Sequence, residues 1–139
     1  MHGRPFLRAS NRLPNTWNTV ASSAFYQCES LVSVTLPDNV ASIGDNAFRE
    51  CPNLQSITFG SKLKRIGVGT FKECVNLESV IIPDDLEEID EYTFDRCSKL
   101  SSVQLGKKLK LIKDAAFRWC VSLQSIDFPD GIIQIRHRS

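Results

Sequence analysis

The chain has 139 residues, 42% hydrophobic and 24% charged, a balance that supports one packed unit and excludes general disorder. Seventeen Lys and Arg against sixteen Asp and Glu leave a net charge of +1, so no whole-molecule field gathers nucleic acid or an anionic membrane. No run of about 18 apolar residues occurs, which argues against a membrane-spanning helix, and Met1 to Val20 carry Arg4, Arg8, Arg12 and Pro14 without the apolar centre of a signal peptide.

Residues 1–12 read as a flank. From Leu13 onward a shift of 23 residues superposes the chain on itself without a gap. Leu13, Pro14, Trp17 and Val20 form a truncated unit in the register of Leu36, Pro37, Val40 and Ile43, and complete units begin near Ala24, Ala47, Thr70 and Thr93. Phe25, Phe48, Phe71, Phe94 and Phe117 share one column, and Cys28, Cys51, Cys74, Cys97 and Cys120 share another. Leu31, Leu54, Leu77, Leu100 and Leu123 follow, then Ser33, Ser56, Ser79, Ser102 and Ser125, then a branched residue at Val34, Ile57, Val80, Val103 and Ile126. A second period lies above the first: units reading PDNV, PDDL and PDGI, from Pro37, Pro83 and Pro129, alternate with GSKL and GKKL from Gly60 and Gly106. That alternation suggests duplication of a pair of turns.

Within a unit, Leu77–Pro83 has strand spacing. Val80 and Ile82 point inward, Ser79 and Ile81 outward, and Pro83 ends the strand because it has no amide to donate. The stretch from Leu86 to Cys97 places its apolar residues at intervals that do not sustain a 3.6-residue period, so turns or one-turn helical pieces are expected there. A unit this short cannot bury its own apolar set; neighbouring units must stack and share a core, as in a solenoid.

The columns formed by Ala47, Phe48, Cys51, Leu54, Ser56, Ile57, Phe59, Leu63 and Ile66 resemble the BspA-like, or Treponema pallidum type, class of leucine-rich repeats over about residues 13–135. The resemblance implies an α/β solenoid, curved and right-handed, with short parallel strands, and residues 13–139 as one repeat domain. It also implies adhesion to host or matrix proteins or contact between cells, and it permits a secreted or cell-surface location. It carries over no catalytic residue. The concave face it implies is lined by Ser33, Thr35, Ser56, Thr58, Ser79, Ile81, Ser102, Gln104, Ser125 and Asp127.

Signs of chemistry are weak. The cysteines occupy a core column, where Cys acts as a small apolar residue; no CxxC pair occurs, and His2 and His137 sit at opposite ends of the chain, so no zinc set is expected. Gly67-Val68-Gly69 falls within the repeat register and reads as a turn rather than a dinucleotide fingerprint. The serine column has no repeated histidine to act as a base. Neither catalysis nor a cofactor is expected. A phosphate track from Lys62, Lys64 and Arg65 to Lys107, Lys108, Lys110 and Lys113 would cross the acids Asp84, Asp85, Glu87, Glu88, Asp90 and Glu91, which argues against specific nucleic-acid binding.

The expected function is therefore a noncatalytic protein- or peptide-binding module, with a purely structural spacer as the alternative. Self-association through the exposed solenoid ends is a further expectation. The register puts Lys62 beside Asp85 and then Lys108, and Lys64 beside Glu87 and then Lys110. The candidate rim is Lys62, Lys64, Asp84, Asp85, Glu87, Glu88, Lys107, Lys108 and Lys110, with Asp84 and Glu88 expected to stand outside the inter-rung pairing.

Overall fold

The structure is a computed structural model that describes residues 10–136. It is a parallel β-solenoid in which each turn contributes two short strands. One strand of each pair enters a five-stranded sheet: β1 (Ser10–Arg12), β3 (Ser33–Thr35), β5 (Ser56–Thr58), β7 (Ser79–Ile81) and β9 (Ser102–Gln104), stacked in that order. The other strands are β2 (Thr19–Val20), β4 (Ser42–Ile43), β6 (Arg65–Ile66), β8 (Glu88–Ile89), β10 (Leu111–Ile112) and β11 (Gln134–Ile135). They form two sheets, β2-β4-β6 and β8-β10-β11. Partners lie 23 residues apart, as in Ser10 with Ser33 and Ile112 with Ile135. We number the rungs one to six by these pairs, β11 marking the sixth. Residues 10–12, read from the sequence as the end of the flank, form the first strand; the rest of the flank and both histidines lie outside the described residues.

The repeat columns become layers of the core. Leu31, Leu54, Leu77 and Leu100 are buried, as are Val40, Leu63, Leu86 and Leu109. Inside them runs a spine of rings: Phe25, Phe48, Phe71, Phe94 and Phe117 stack with successive centroids 5.2, 5.4, 5.5 and 5.4 Å apart, and Trp17 closes on Phe25 at 6.3 Å. Such spacing is within the range in which aromatic pairs attract beyond their simple burial.

No helix occurs among the described residues, so the β part of the expected α/β class is observed and the α part is not. The backbone gives the reason. Two left-handed residues bracket each Phe of the stacked column: Ser23, Asn46, Gly69, Tyr92 and Ala115 before it, and Gln27, Glu50, Glu73, Arg96 and Trp119 after it, all with φ near +60°. A left-handed residue every fourth position breaks a right-handed helix. It also splits the amides into two sets. In the second return segment Arg49 donates back to Asn46 O within its turn, while Asn46, Phe48 and Glu50 donate to Val68, Thr70 and Lys72 of the next rung at 2.9, 2.9 and 2.8 Å. The return segments therefore join rung to rung as the strands do.

The proline–glycine alternation has a physical basis in these contacts. Asp38 accepts the Ser61 amide at 3.3 Å, and Asp84 accepts the Lys107 amide at 3.0 Å. A Cβ on Gly60 would stand 2.8 Å from Pro37 O, and one on Gly106 would overlap Pro83 O. The Pro-Asp turn thus seats a glycine turn against it, and the pair of rungs is the natural structural unit.

All five cysteines are buried thiols. Cys51, Cys74, Cys97 and Cys120 each donate to a Phe carbonyl of the preceding rung, at 3.1, 3.0, 3.1 and 3.1 Å. Burial, reinforced by the Cys51 neighbour, pushes the Cys74 thiol far above its ordinary 9.0, burial does the same to Cys97, and Cys120 is pushed up to about 12, again chiefly by burial. The linkage has a definite sign: the unfolded chain releases these protons near pH 9 while the folded chain keeps them, so stability is whole below that pH and falls as pH rises beyond it. Cys74→Ala should remove about 1.4 kcal/mol of the loss measured by urea unfolding between about pH 8 and about pH 10. An alkaline loss identical in the variant would rule out this account of Cys74.

Candidate functional site

The five-stranded sheet brings the serine and threonine positions into one row. Ser33, Ser56, Ser79 and Ser102 pair in register across four rungs, and the next outward position carries Thr35, Thr58, Ile81 and Gln104. Strand alternation explains the exposure: Val34, Ile57 and Val80 between them are buried, while Ser79 and Ile81 face solvent. Ile81 is 63% exposed and is the one large apolar side chain in a row of polar ones. It lies in a hollow of about 740 Å³ that also takes in Ser56, Thr58 and Ser79, with Asp38, Asp84 and Asp85 at its acidic border. The row stops one rung earlier than the sequence suggests. Ser125 and Asp127 are exposed but belong to no strand, so they do not extend the ladder.

The charged rim is also assembled, with a bias the register does not predict. Asp85 pairs with Lys108 at 3.0 Å and Glu87 with Lys110 at 3.5 Å, both toward the following rung. No ion pair joins these acids to Lys62 or Lys64 among the described residues. The expectation that Asp84 and Glu88 stand outside the inter-rung pairing is corrected: Asp84 caps the Lys107 amide at 3.0 Å, and Glu88 pairs with Lys113 at 3.2 Å. Hydrogen bonding to Asp85 raises the Lys108 pKa, and hydrogen bonding to Glu88, then the charge of Asp90, raises that of Lys113. These pairs are exposed, so solvent screening leaves each of them a weak contributor to stability.

Sequence reasoning missed a second charged cluster, on the return segments. The carboxylate of Asp95 is fully buried and receives two bonds from Arg118, at 3.1 and 2.9 Å, with Lys72 Nζ at 3.8 Å and Arg96 Nε at 3.9 Å. The residue after each column Phe reads Tyr26, Arg49, Lys72, Asp95, Arg118, so an acid beside cations was the available signal.

Repeated strand pairs, a leucine-rich core and turn-built returns define a leucine-rich-repeat solenoid. The chain belongs to the BspA-type leucine-rich-repeat family, whose model matches residues 13–139 as six copies. It is similar to a leucine-rich-repeat protein of Eubacterium ventriosum at 28% identity and a TM-score of 0.83, over 93% of this chain and 41% of that one. A leucine-rich cell-surface protein of Faecalibacterium prausnitzii shares the fold at 20% identity and a TM-score of 0.58, over 86% of this chain and 47% of that one. The Treponema pallidum leucine-rich-repeat protein does so at 22% identity and 0.51, over 84% of this chain and 78% of that one. The chain thus spans less than half the length of the first two. No curated protein sequence matches it significantly.

Proposed function

We propose that residues 13–139 act as a noncatalytic protein-interaction module of the adhesive kind, whose contact face is the exposed row Ser33, Thr35, Ser56, Thr58, Ser79, Ile81, Ser102 and Gln104 on a curved, right-handed solenoid. The observation that carries the reading is the exposure of Ile81 amid polar side chains, a local arrangement suited to an apolar anchor with adaptable polar surroundings. The partner is a protein or peptide segment that covers Ile81 with an apolar side chain. The rim acids have lysine partners or amide caps, so they contribute orientation and salt dependence more than affinity. That the Faecalibacterium prausnitzii protein of the same fold is a cell-surface protein supports a surface setting.

The test is binding to a panel of extracellular-matrix and cell-surface proteins, followed by variants on any positive. Ile81→Arg should weaken binding on the order of tenfold or more, as expected for a central anchor, and leave the unfolding midpoint nearly unchanged. Glu73→Gln, on a return segment, should bind as the parent does. Equal loss in both variants, or none in Ile81→Arg, would rule out this face.

A further inference from the structure

The rungs are not joined equally. In the short-strand sheets, Ala41 donates to Asn18 O, Lys64 to Ala41 O, Lys110 to Glu87 O and Ile133 to Lys110 O, at 3.0, 2.8, 2.8 and 2.7 Å. Gly44, Gly67, Lys113 and Arg136 repeat the pattern three residues later, at 2.8, 2.8, 3.0 and 2.8 Å. At the remaining step, from rung three to rung four, the equivalent bonds from Glu87, Glu88 and Asp90 to Lys64 O and Ile66 O are absent among the described residues. This is why β6 and β8 fall in different sheets.

The break continues into the five-stranded sheet. Strands β5 and β7 pair only at Ser56 and Ser79, whereas β3 with β5 and β7 with β9 pair at three positions. Leu13, Leu36 and Ile82 donate across rungs to Thr35, Thr58 and Gln104, and the register-equivalent bond from Phe59 to Ile81 O is missing. The rungs meet again on either side: Glu78 donates to Gln55 O at 3.0 Å, and Gly69, Phe71 and Glu73 donate to Glu91, Thr93 and Asp95 at 2.9, 2.9 and 2.8 Å. The opening is therefore a bounded break in backbone pairing from Thr58–Ile66 on one side to Ile81–Asp90 on the other, crossed by the Arg65–Asp90 ion pair at 4.0 Å. A hollow of about 480 Å³ lined by Lys64, Ile66, Glu87 and Asp90 lies along it.

Phe59 stands at the head of the break. Its column otherwise reads Leu13, Leu36, Ile82, Leu105 and Phe128; Leu13, Leu36 and Ile82 are buried, and Phe128, the other ring in the column, is exposed in the sixth rung beyond the break. Phe59 is only partly buried and meets the spine edge-on, at 5.9 Å and 68° to Phe71. A flat ring lying across the stack needs more room between rungs than a leucine does, and a packed core passes such strain to its neighbours.

We infer that the third and fourth rungs form a built-in flex line, wedged open by Phe59 and anchored at both ends by the Gln55–Glu78 and Gly69–Glu91 contacts. Thr58 lies on one side and Ile81 on the other, so opening moves the two halves of the proposed contact face relative to each other. The inference rests on backbone pairing and stands whether or not that face binds a partner.

Amide hydrogen exchange on the whole chain tests it residue by residue. After correction for intrinsic rates, Phe59, Glu87, Glu88 and Asp90 should exchange on the order of tenfold or more faster than Lys64, Gly67, Lys110 and Lys113, because amides without an acceptor need no opening event. Phe59→Leu should slow the first group toward the second. Equal protection of the two groups in the parent chain would overturn the flex line, and fast exchange persisting in Phe59→Leu would overturn the wedge. Loss of protection throughout Phe59→Leu would report a destabilised fold; Phe59→Ile, matching Ile82 in the same column, then decides the wedge by the same readout.

Discussion

Leu77→Asp is expected to abolish cooperative folding or shift its urea midpoint far down, and Leu77→Ala is expected to cost about 2–5 kcal/mol. Leu77 has no exposed surface and sits in rung four, between the equally buried Leu54 and Leu100 of its neighbours. An alanine leaves a cavity that two rungs must share. An aspartate does more harm, because a carboxylate in an apolar layer without a partner must either stay unsolvated or take up a proton. The whole domain holds only about 0.05–0.15 kcal/mol per residue, so the aspartate's cost is comparable to the total. The adjacent Glu78 is exposed, and Glu78→Ala should stay within about 0.5 kcal/mol of the parent. Urea unfolding followed by circular dichroism separates the three variants. A Leu77→Asp midpoint equal to the parent's would show that the leucine column is not the core.

The columns were legible because stacking demands the same residue type at the same place in every turn. Phe, Cys, Leu and Ile recur for that reason, and from their recurrence the strands, the parallel stacking and the outward row follow. The left-handed positions were not legible. Asn46 and Gly69 suit that conformation, but Ser23, Tyr92 and Ala115 in the same column do not announce it. There the inter-rung hydrogen bonds impose the backbone, so the information resides in the stack and not in the residue. The rim shows a different limit. Register names the neighbours on both sides of Asp85 and Glu87, but only geometry shows that both acids pair with the following rung. Phe59 counted as one more apolar residue in its column; its consequence is set by ring orientation, which sequence periodicity does not carry.

Asp95→Ala should destabilise the chain by about 2–4 kcal/mol, several times the about 0.2–1 kcal/mol expected for Asp85→Ala on the rim. Both acids face cations one rung away, and burial makes the difference. The side chain of Asp95 is fully buried and bonded twice to Arg118, whereas those of Asp85 and Lys108 are 43% and 62% exposed. Removing the Asp95 carboxylate leaves Lys72, Arg96 and Arg118 without their common counter-charge. Lys72 and Arg118 also hold Tyr92 between them, at 5.0 and 5.3 Å from its ring centre, so their repulsion would loosen two adjacent turns. The guanidinium of Arg118 retains some solvent, which places the figure below the full cost of breaking a wholly buried pair. Arg118→Met in the Asp95→Ala background should recover part of the loss, giving a non-zero coupling in a double-mutant cycle read by urea unfolding. Additive losses would mean that Arg118 is not the partner that makes the buried carboxylate tolerable. A cost for Asp95→Ala no larger than that for Asp85→Ala would mean that burial has not strengthened the pair, and the four-residue network would count only as surface charge.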